Sequence, residues 1–523
     1  MSSTASTRPG AMDRFLTGVE RVGNKLPDPF MLFLILFVIT AVVGTAMALG
    51  NVTVQVPGAE EVTVIRGLFT AEGMTWLTEN IGANYLGFPP LATVLPILLA
   101  VGVAEKSGLL AAMIRRVFGS APRWALPYAV GFVGVVGSIM ADAAFVIIPP
   151  LAALVFKAAG RHPVAGLLGG FAAAGAGYST NLLVTSLDAL FSGITTAVTE
   201  GLPNAGAPVT PVSNYYFNIA SSVVLILLAG FIIDKVLEPR LTRQKVPMDE
   251  TREDGDHASA PVVLTAELEP QEAKALKWAV LTVVVVAAVM LVAVLVPGSP
   301  WRNEAGGFLP RSPLLSSIVF IVFLLFTIPG LVYGRIVGTI TRGRDVPRVM
   351  GEAIKDMAGF LVLAFILGQF IALFNWSGIG SWIAVSGASG LQAVGLTGYP
   401  AILAFILLAS VLNLFIISGS AMWTLMASVF VPLFALLGYE PAFIQGAFRV
   451  GDSATQVITP LNPYMIVLLT MLRKYEPAAG LGTLMARMLP FVVTFWLAWV
   501  AILSVFFFLD LPLGPGNGIF IGR

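Results

Sequence analysis

The 523-residue chain contains no cysteine and only two histidines, His162 and His257. The first absence excludes disulfides, iron–sulfur clusters and thiolate metal sites; the second leaves too few imidazoles for an HExxH-type zinc centre. Charge is scarce as well. Asp, Glu, Lys and Arg make up 11% of the residues, against roughly 25% in ordinary soluble domains. Thirty basic and 29 acidic residues leave a formal charge of +1, so no electrostatic footprint for nucleic acid is present. The sequence also lacks a GxxxxGK[ST] phosphate loop, which argues against pumping driven by ATP. No organic cofactor is expected, and the chemistry excluded so far covers most soluble enzymes.

What the chain has in abundance is apolar length. Hydrophobic residues make up 57% of it, mean hydropathy is +0.88, and apolar blocks long enough to span a bilayer recur throughout. These features predict an all-α polytopic membrane protein. The first block, 29–49, carries Ala46-Met47-Ala48, which imitates a signal cleavage site, but it is longer and later than a signal peptide. It is expected to be a retained span.

The positive-inside rule orients the blocks. A cytoplasmic N-terminal arm (1–28) leads into scaffold spans within 29–123, with 50–88 an external loop and 89–105 the second span. A first repeat core follows at 124–199. Its block 124–157 is too long for one crossing, is split by Gly137-Ser138-Ile139-Met140-Ala141-Asp142, and has basic residues on both flanks, so it reads as a re-entrant hairpin. Residues 163–199 cross outward with a break near Ser179-Thr180-Asn181. A scaffold span (212–234), a charged cytoplasmic linker (235–277) and spans of the second half (278–376) come next. The second repeat core, 398–472, holds a hairpin around Ser418-Gly419-Ser420 that opens to the opposite side, then an interrupted span. A last span and external tail occupy 488–523. This layout of nine crossings and two hairpins puts 25 of the 30 basic residues on the cytoplasmic side and four outside.

The two cores align in register: Gly177-Tyr178-Ser179-Thr180-Asn181 through Asp188 lies on Gly451-Asp452-Ser453-Ala454-Thr455 through Asn462, and Gly160-Arg161-His162-Pro163 lies on Gly438-Tyr439-Glu440-Pro441. Inverted repeats with interrupted helices are the architecture of secondary transporters, with substrate near the midplane. Helix breaks are expected at Gly177, Ser179, Gly451, Ser453 and Pro460, and hairpin tips at Ser138, Asp142, Ser418 and Gly419.

Ionisable groups at membrane depth are functional candidates. Arg449 and Asp452 stand three apart, on one face of a continuous helix; the plain alternative is a mutual ion pair that fixes packing. The planar fork of Arg449 suits a carboxylate or sulfonyl group, leaving Asp452 for a proton or cation. Asp188 is the matching acid of the first core, or else a helix cap. Asp142 is equally well explained as a cap at its tip. Asn181, Ser179, Thr180, Asn413, Ser420, Thr455 and Asn462 offer hard oxygen at the breaks. Coupling-ion candidates are therefore Asp188, Asp452, Asn181, Asn413 and Asn462, with Na+ at Asn413 and Asp452 the one metal site considered. Trp423 offers a ring to an aryl substrate, although packing is the commoner role of such a residue.

The segments Ser418-Gly419-Ser420-Ala421-Met422-Trp423, Pro441, Arg449-Val450-Gly451-Asp452-Ser453, Thr459-Pro460 and Ser186-Leu187-Asp188-Ala189-Leu190 resemble the AbgT family of p-aminobenzoyl-glutamate transporters. The resemblance covers nearly the whole chain. It implies a homodimer in the bacterial inner membrane that moves p-aminobenzoyl-glutamate or exports sulfonamide antimetabolites. It also implies functional roles for Asp188, Trp423, Pro441, Arg449 and Asp452, with Ser420 and Pro460 close behind. Linker 246–272 and the C-terminal tail are expected to be particular to this chain.

The sequence thus predicts a proton- or sodium-coupled transporter of aryl anions, a small-molecule carrier and not an enzyme. Arg449, Trp423, Ser420, Asp188 and Pro441 would line the substrate. An intramembrane aspartyl peptidase is disfavoured because Arg449 stands where a GxGD motif needs its first glycine. An ion channel is disfavoured because repeats with broken helices suit a gated carrier better.

Overall fold

The computed structural model describes residues 27–57, 62–200, 202, 205–250, 268–309, 311–416, 418–459 and 461–522. Most of the N-terminal arm, residues 251–267 of the linker and Pro460 lie outside them. Helices dominate, and the sheet found among the described residues is a two-stranded ribbon pairing Thr53–Val54 with Thr63–Val64. Eight helices among the described residues are long and apolar enough to cross a membrane.

The first of them, Pro29–Leu49, starts where Asp28 accepts the amide of Phe30 at 2.9 Å and Pro29 occupies the first helical position. Apolar side chains then cover it all round, as lipid demands. Helix Pro270–Leu295 is the extreme case, with nearly every apolar side chain left at the surface. Helices Pro163–Ser179 and Pro441–Gln456 are the opposite, buried almost from end to end. The protein therefore has lipid-facing helices at its periphery and a polar-bearing centre.

Both cores contain the same succession of elements. The first runs Leu126–Gly137, a tip at 138–141, Asp142–Ala158, Pro163–Ser179, a break, then Ser186–Thr199. The second runs Tyr399–Leu412, a tip, Gly419–Leu436, Pro441–Gln456, a break, then Pro463–Arg473. The matched turns are built alike. Gly160 (φ +65°) and Gly438 (φ +91°) each adopt the left-handed conformation that ends a helix, and Pro163 and Pro441 each open the next one.

The structure corrects four expectations about where elements begin and end. The 50–88 loop carries a helix, Ala71–Leu86, because Thr70 caps it through the amide of Gly73 and Trp76 stacks on Trp376 at 4.7 Å. Residues 377–397, left between the spans of the second half and the second repeat core, hold a further helix, Ile379–Ala393. Linker residues Lys235, Arg240 and Arg243 are helical, since the helix Tyr215–Phe231 continues through a π-helical turn to Arg243. The last long helix begins at Leu481, and its tail folds back: the amide of Glu440 bonds the carbonyl of Ile519, and that of Ile521 bonds the carbonyl of Gly438, at 2.9 Å each.

The first break holds Thr180 and Asn181 as expected and the second brackets the expected Pro460, which lies outside the described residues, while the other expected break residues remain helical. Gly177 and Ser179 lie inside the last turn of their helix and Gly451 and Ser453 inside Pro441–Gln456, so the interruptions are Thr180–Thr185 and Val457–Asn462. The glycines serve contact instead of termination. A Cβ on Gly177 would stand 2.4 Å from the carbonyl oxygen of Val135, and one on Gly451 would stand 2.6 Å from that of Ile406.

Candidate functional site

Helix Ser186–Thr199 starts just after the first break. Thr185 caps it, accepting the amide of Asp188 at 3.3 Å, while Asp188 Oδ2 accepts the amide and the hydroxyl of Thr185 at 2.8 Å each. This reciprocal capping box fixes one carboxylate oxygen and leaves the other, Oδ1, facing the centre. There it meets Nη2 of Arg449 at 2.8 Å and accepts Nδ2 of Asn218 at 3.0 Å. Arg449 is 2% exposed and Asp188 is 2% exposed, so the pair is sealed from solvent.

This geometry sets aside the plain alternative, a mutual ion pair of Arg449 with Asp452. The guanidinium is committed elsewhere: Nε donates to Asn214 Oδ1 at 3.2 Å, Nη1 donates to the carbonyl of Ser179 at 2.9 Å, and the whole group lies over the ring of Phe191. Asp452 accepts the Ser179 hydroxyl at 3.3 Å. Ser179, the last residue of the first broken helix, thus touches both charged groups of the second. Both roles weighed for Asp188 coexist: from the third position of its helix it completes the cap set by Thr185, and it is the acid that meets Arg449.

Trp423 is fully buried, one turn beyond the tip capped by Ser418. Its Nε1 donates to the carbonyl of Phe191 at 3.2 Å and to Thr195 Oγ1 at 3.1 Å, and its ring lies 4.6 Å from that of Phe448. Ser420 pairs its hydroxyl with that of Ser418 at 3.0 Å. Pro441 is buried at the start of the Arg449 helix.

The oxygen donors are held more tightly than ligands awaiting an ion. Asn181 Nδ2 donates to the carbonyl of Val135 at 2.8 Å and to Ser138 Oγ at 2.9 Å, tying the first break to the first tip. Asn413 turns its amide nitrogen to the Asp452 carbonyl and to Thr455 Oγ1. A cation held between Asn413 and Asp452 would need that amide to rotate. Asn462 caps the helix after the second break through the amide of Tyr464. Asp142, exposed at the first tip, follows Ala141, whose φ of +48° is strained for a residue with a Cβ. The helix behind it shows no side-chain cap, so the capping role expected of Asp142 is not the one it performs.

A cavity of about 650 Å³ reaches this region, lined by Ser138, Asp142, Tyr178, Thr185 and Ser186 of the first core and by Glu105, Lys106 and Asp356 opposite. That volume is the size of a small-ligand pocket. Thr185 stands between it and Asp188, so Arg449 and Trp423 lie behind the cavity wall.

Sequence reasoning missed Asn214, Asn218, Thr195 and Gln445. Thr195 donates to Gln445 Oε1 at 2.7 Å, and Gln445 donates to Asn214 Oδ1 at 2.8 Å. The signal was present: Asn214 and Asn218 are amides at i, i+4 entering an apolar span, and Gln445 stands one turn before Arg449.

A helical membrane protein with two matched successions of helices, each interrupted before its last helix, and a charged pair buried between them belongs to the class of membrane transporters. Comparison with known proteins agrees. Residues 14–521 match the family described as "AbgT putative transporter family", and the chain belongs to that family. The match runs through the linker and nearly to the end of the tail, so the tail is not peculiar to this chain. The p-aminobenzoyl-glutamate transport protein of Escherichia coli (strain K12) is 38% identical over 498 residues, covering 95% of each chain. The crystal structure of the YdaH transporter of Alcanivorax borkumensis superposes with a TM-score of 0.86 at 36% identity, covering 94% of this chain and all of that one. MtrF of Neisseria gonorrhoeae, described as illuminating a class of antimetabolite efflux pumps, gives a TM-score of 0.86 at 36% identity, covering 96% of this chain and all of the other.

Proposed function

We propose that this transporter carries p-aminobenzoyl-glutamate or a related aryl anion across the bacterial inner membrane, coupled to a proton or sodium gradient, with sulfonamide antimetabolites as candidate export substrates. The observation that carries the reading is the buried Arg449–Asp188 pair behind a ligand-sized cavity. A substrate carboxylate offers the guanidinium what Asp188 now offers it, so the two anions compete for one cation. A proton on Asp188 removes the competitor and releases Arg449 to the substrate. Coupling then follows from electrostatics: two charges cannot both be left uncompensated in a low-dielectric centre. Trp423 would exchange its protein partners for the aryl ring.

In the proposed topology the chain crosses nine times, the two hairpins enter from opposite faces, the N-terminus is cytoplasmic and the C-terminus external. A homodimer is the proposed assembly. The bias of Lys and Arg toward one side of the membrane supports the orientation. Sodium in place of a proton fits the oxygen-rich surroundings of Asp452 once Asn413 rotates its amide.

The test is uptake of labelled p-aminobenzoyl-glutamate into liposomes under separately imposed proton and sodium gradients. Movement driven by one gradient and lost in Arg449→Ala supports the reading. Equal rates in wild type and Arg449→Ala would remove Arg449 from the site.

A further inference from the structure

We propose that Gln445 is a positioning residue that links the aryl-recognising end of the site to its anion-recognising end, so that Trp423 and Arg449 change partners together. The roles given to those two residues rest on the function proposed above; the link between them rests on geometry alone.

Gln445 is 1% exposed and precedes Arg449 by one turn, on the same face of helix Pro441–Gln456. Its Oε1 accepts the Thr195 hydroxyl at 2.7 Å and its Nε2 donates to Asn214 Oδ1 at 2.8 Å. A primary amide carries a donor and an acceptor in fixed opposition, and both neighbours dictate which way round it sits. Asn214 spends its own donor on the carbonyl of Ala442 at 2.7 Å, which leaves Oδ1 to be shared by Gln445 Nε2 and Arg449 Nε. At the other end, Thr195 Oγ1 accepts the indole N–H of Trp423 at 3.1 Å.

Thr195 has one hydroxyl proton and two acceptors in reach, Gln445 Oε1 at 2.7 Å and the carbonyl of Phe191 at 2.8 Å. Phe191 is also the second acceptor of the Trp423 indole, at 3.2 Å. While Trp423 occupies that carbonyl, the Thr195 proton is best spent on Gln445. If the indole leaves, the carbonyl reopens, the hydroxyl can turn to it, and Gln445 Oε1 becomes a buried acceptor without a donor, which is unfavourable. If Arg449 leaves, Asn214 Oδ1 is no longer divided between two donors, and its bond to Gln445 Nε2 is free to strengthen and draw the amide toward it. Either departure therefore alters the bonds of the same glutamine. The chain of contacts crosses from the second hairpin to helix Ser186–Thr199, to the Arg449 helix and to the start of helix Tyr215–Phe231.

The experiment uses full-length protein in nanodiscs with ¹⁵N-labelled tryptophan indoles, the Trp423 signal being the one lost in Trp423→Phe. Arg449→Lys should shift the Trp423 indole resonance when Gln445 is present and leave it in place in a Gln445→Leu background. Leucine fills much the same space and leaves Asn214 with Arg449 and Thr195 with the Phe191 carbonyl, so that background is expected to fold. Should Arg449→Lys not fold, Asn214→Ser perturbs the same chain one link closer. An equal shift in both backgrounds, or no shift in either, overturns the proposal.

Transport provides the second arm. The changes in KM for p-aminobenzoyl-glutamate caused by Trp423→Phe and Arg449→Lys should multiply independently in the Gln445→Leu background, and depart from that product by about fivefold when Gln445 is present. Simple multiplication in both backgrounds overturns the link. An indole shift that depends on Gln445, in a protein that does not move p-aminobenzoyl-glutamate, upholds the link and defeats the substrate assignment.

Discussion

Arg449 is paired with Asp188, 2.8 Å away on the opposite core, and not with Asp452 on its own helix. One salt bridge thus joins the interrupted helices of both cores. Removing either partner alone leaves a buried charge, at about 3–5 kcal/mol. Arg449→Ala and Asp188→Leu should each lower the melting temperature in detergent and abolish uptake. The double variant Arg449→Leu/Asp188→Leu should recover most of the melting temperature and none of the uptake. Recovered uptake would show that the pair serves packing alone.

Thr185→Val removes the hydroxyl half of the capping box while keeping the side-chain volume. Loss of the cap should cost about 1 kcal/mol of stability, and it also removes one of the two bonds by which Thr185 holds Asp188 Oδ2, leaving the amide. The expected outcome is a modest drop in thermal stability with a larger loss of transport, read by comparing melting curves with initial rates. Thr185→Ser should restore both.

Gly177→Ala should be among the least tolerated small substitutions, because its Cβ would meet backbone, the Val135 carbonyl at 2.4 Å, where nothing can swing aside. Overpacking of this kind costs about 1–3 kcal/mol. Gly351→Ala, inside helix Asp345–Asp356 and with nothing within 4 Å of the added carbon, is the matched control and should melt no lower than the wild type.

His162 supplies a pH dependence outside the spans. Burial holds its imidazole below the ordinary value of 6.5, and the hydrogen bond to the Val246 carbonyl and the nearby Glu238 only partly oppose this, with Arg487 adding to the shift. The folded protein therefore binds the proton less well than the unfolded chain. Its contribution is intact above pH 6.5 and declines as the pH falls below that value toward the lower folded pKa. The melting temperature should drop less between pH 7 and pH 5.5 in His162→Gln than in the wild type. Parallel curves would assign the acid sensitivity to other groups.

Long apolar periods, glycines beside prolines and the side preference of Lys and Arg made much of the helical framework legible from the sequence. Local spacing failed for the pairing of charges. Asp452 is near Arg449 along the chain, whereas Asp188 is near it only after two distant helices have been packed together. Glycine misled in the same way: at Gly177 and Gly451 it marks where another backbone comes close, not where a helix stops. The amides Asn214, Asn218 and Gln445 were passed over because they lie away from the expected helix breaks, where Asn181, Asn413 and Asn462 drew notice. Their importance lies in whom they bridge, which only the folded arrangement displays.

The tail that folds back on Gly438 and Glu440 sets an order of events during synthesis. Ile519 and Ile521 leave the ribosome about eighty residues after the turn they bind, which at 5–20 residues per second is a delay of roughly 4–16 s. Throughout that interval the start of the Arg449 helix lacks its final partners. The second core is therefore the late-maturing half, since the turn before its Arg449 helix is completed only after the last long helix and the tail have been made. Membrane insertases and quality-control proteases have their best opportunity in that window, and slowing translation over the last helix should lengthen it.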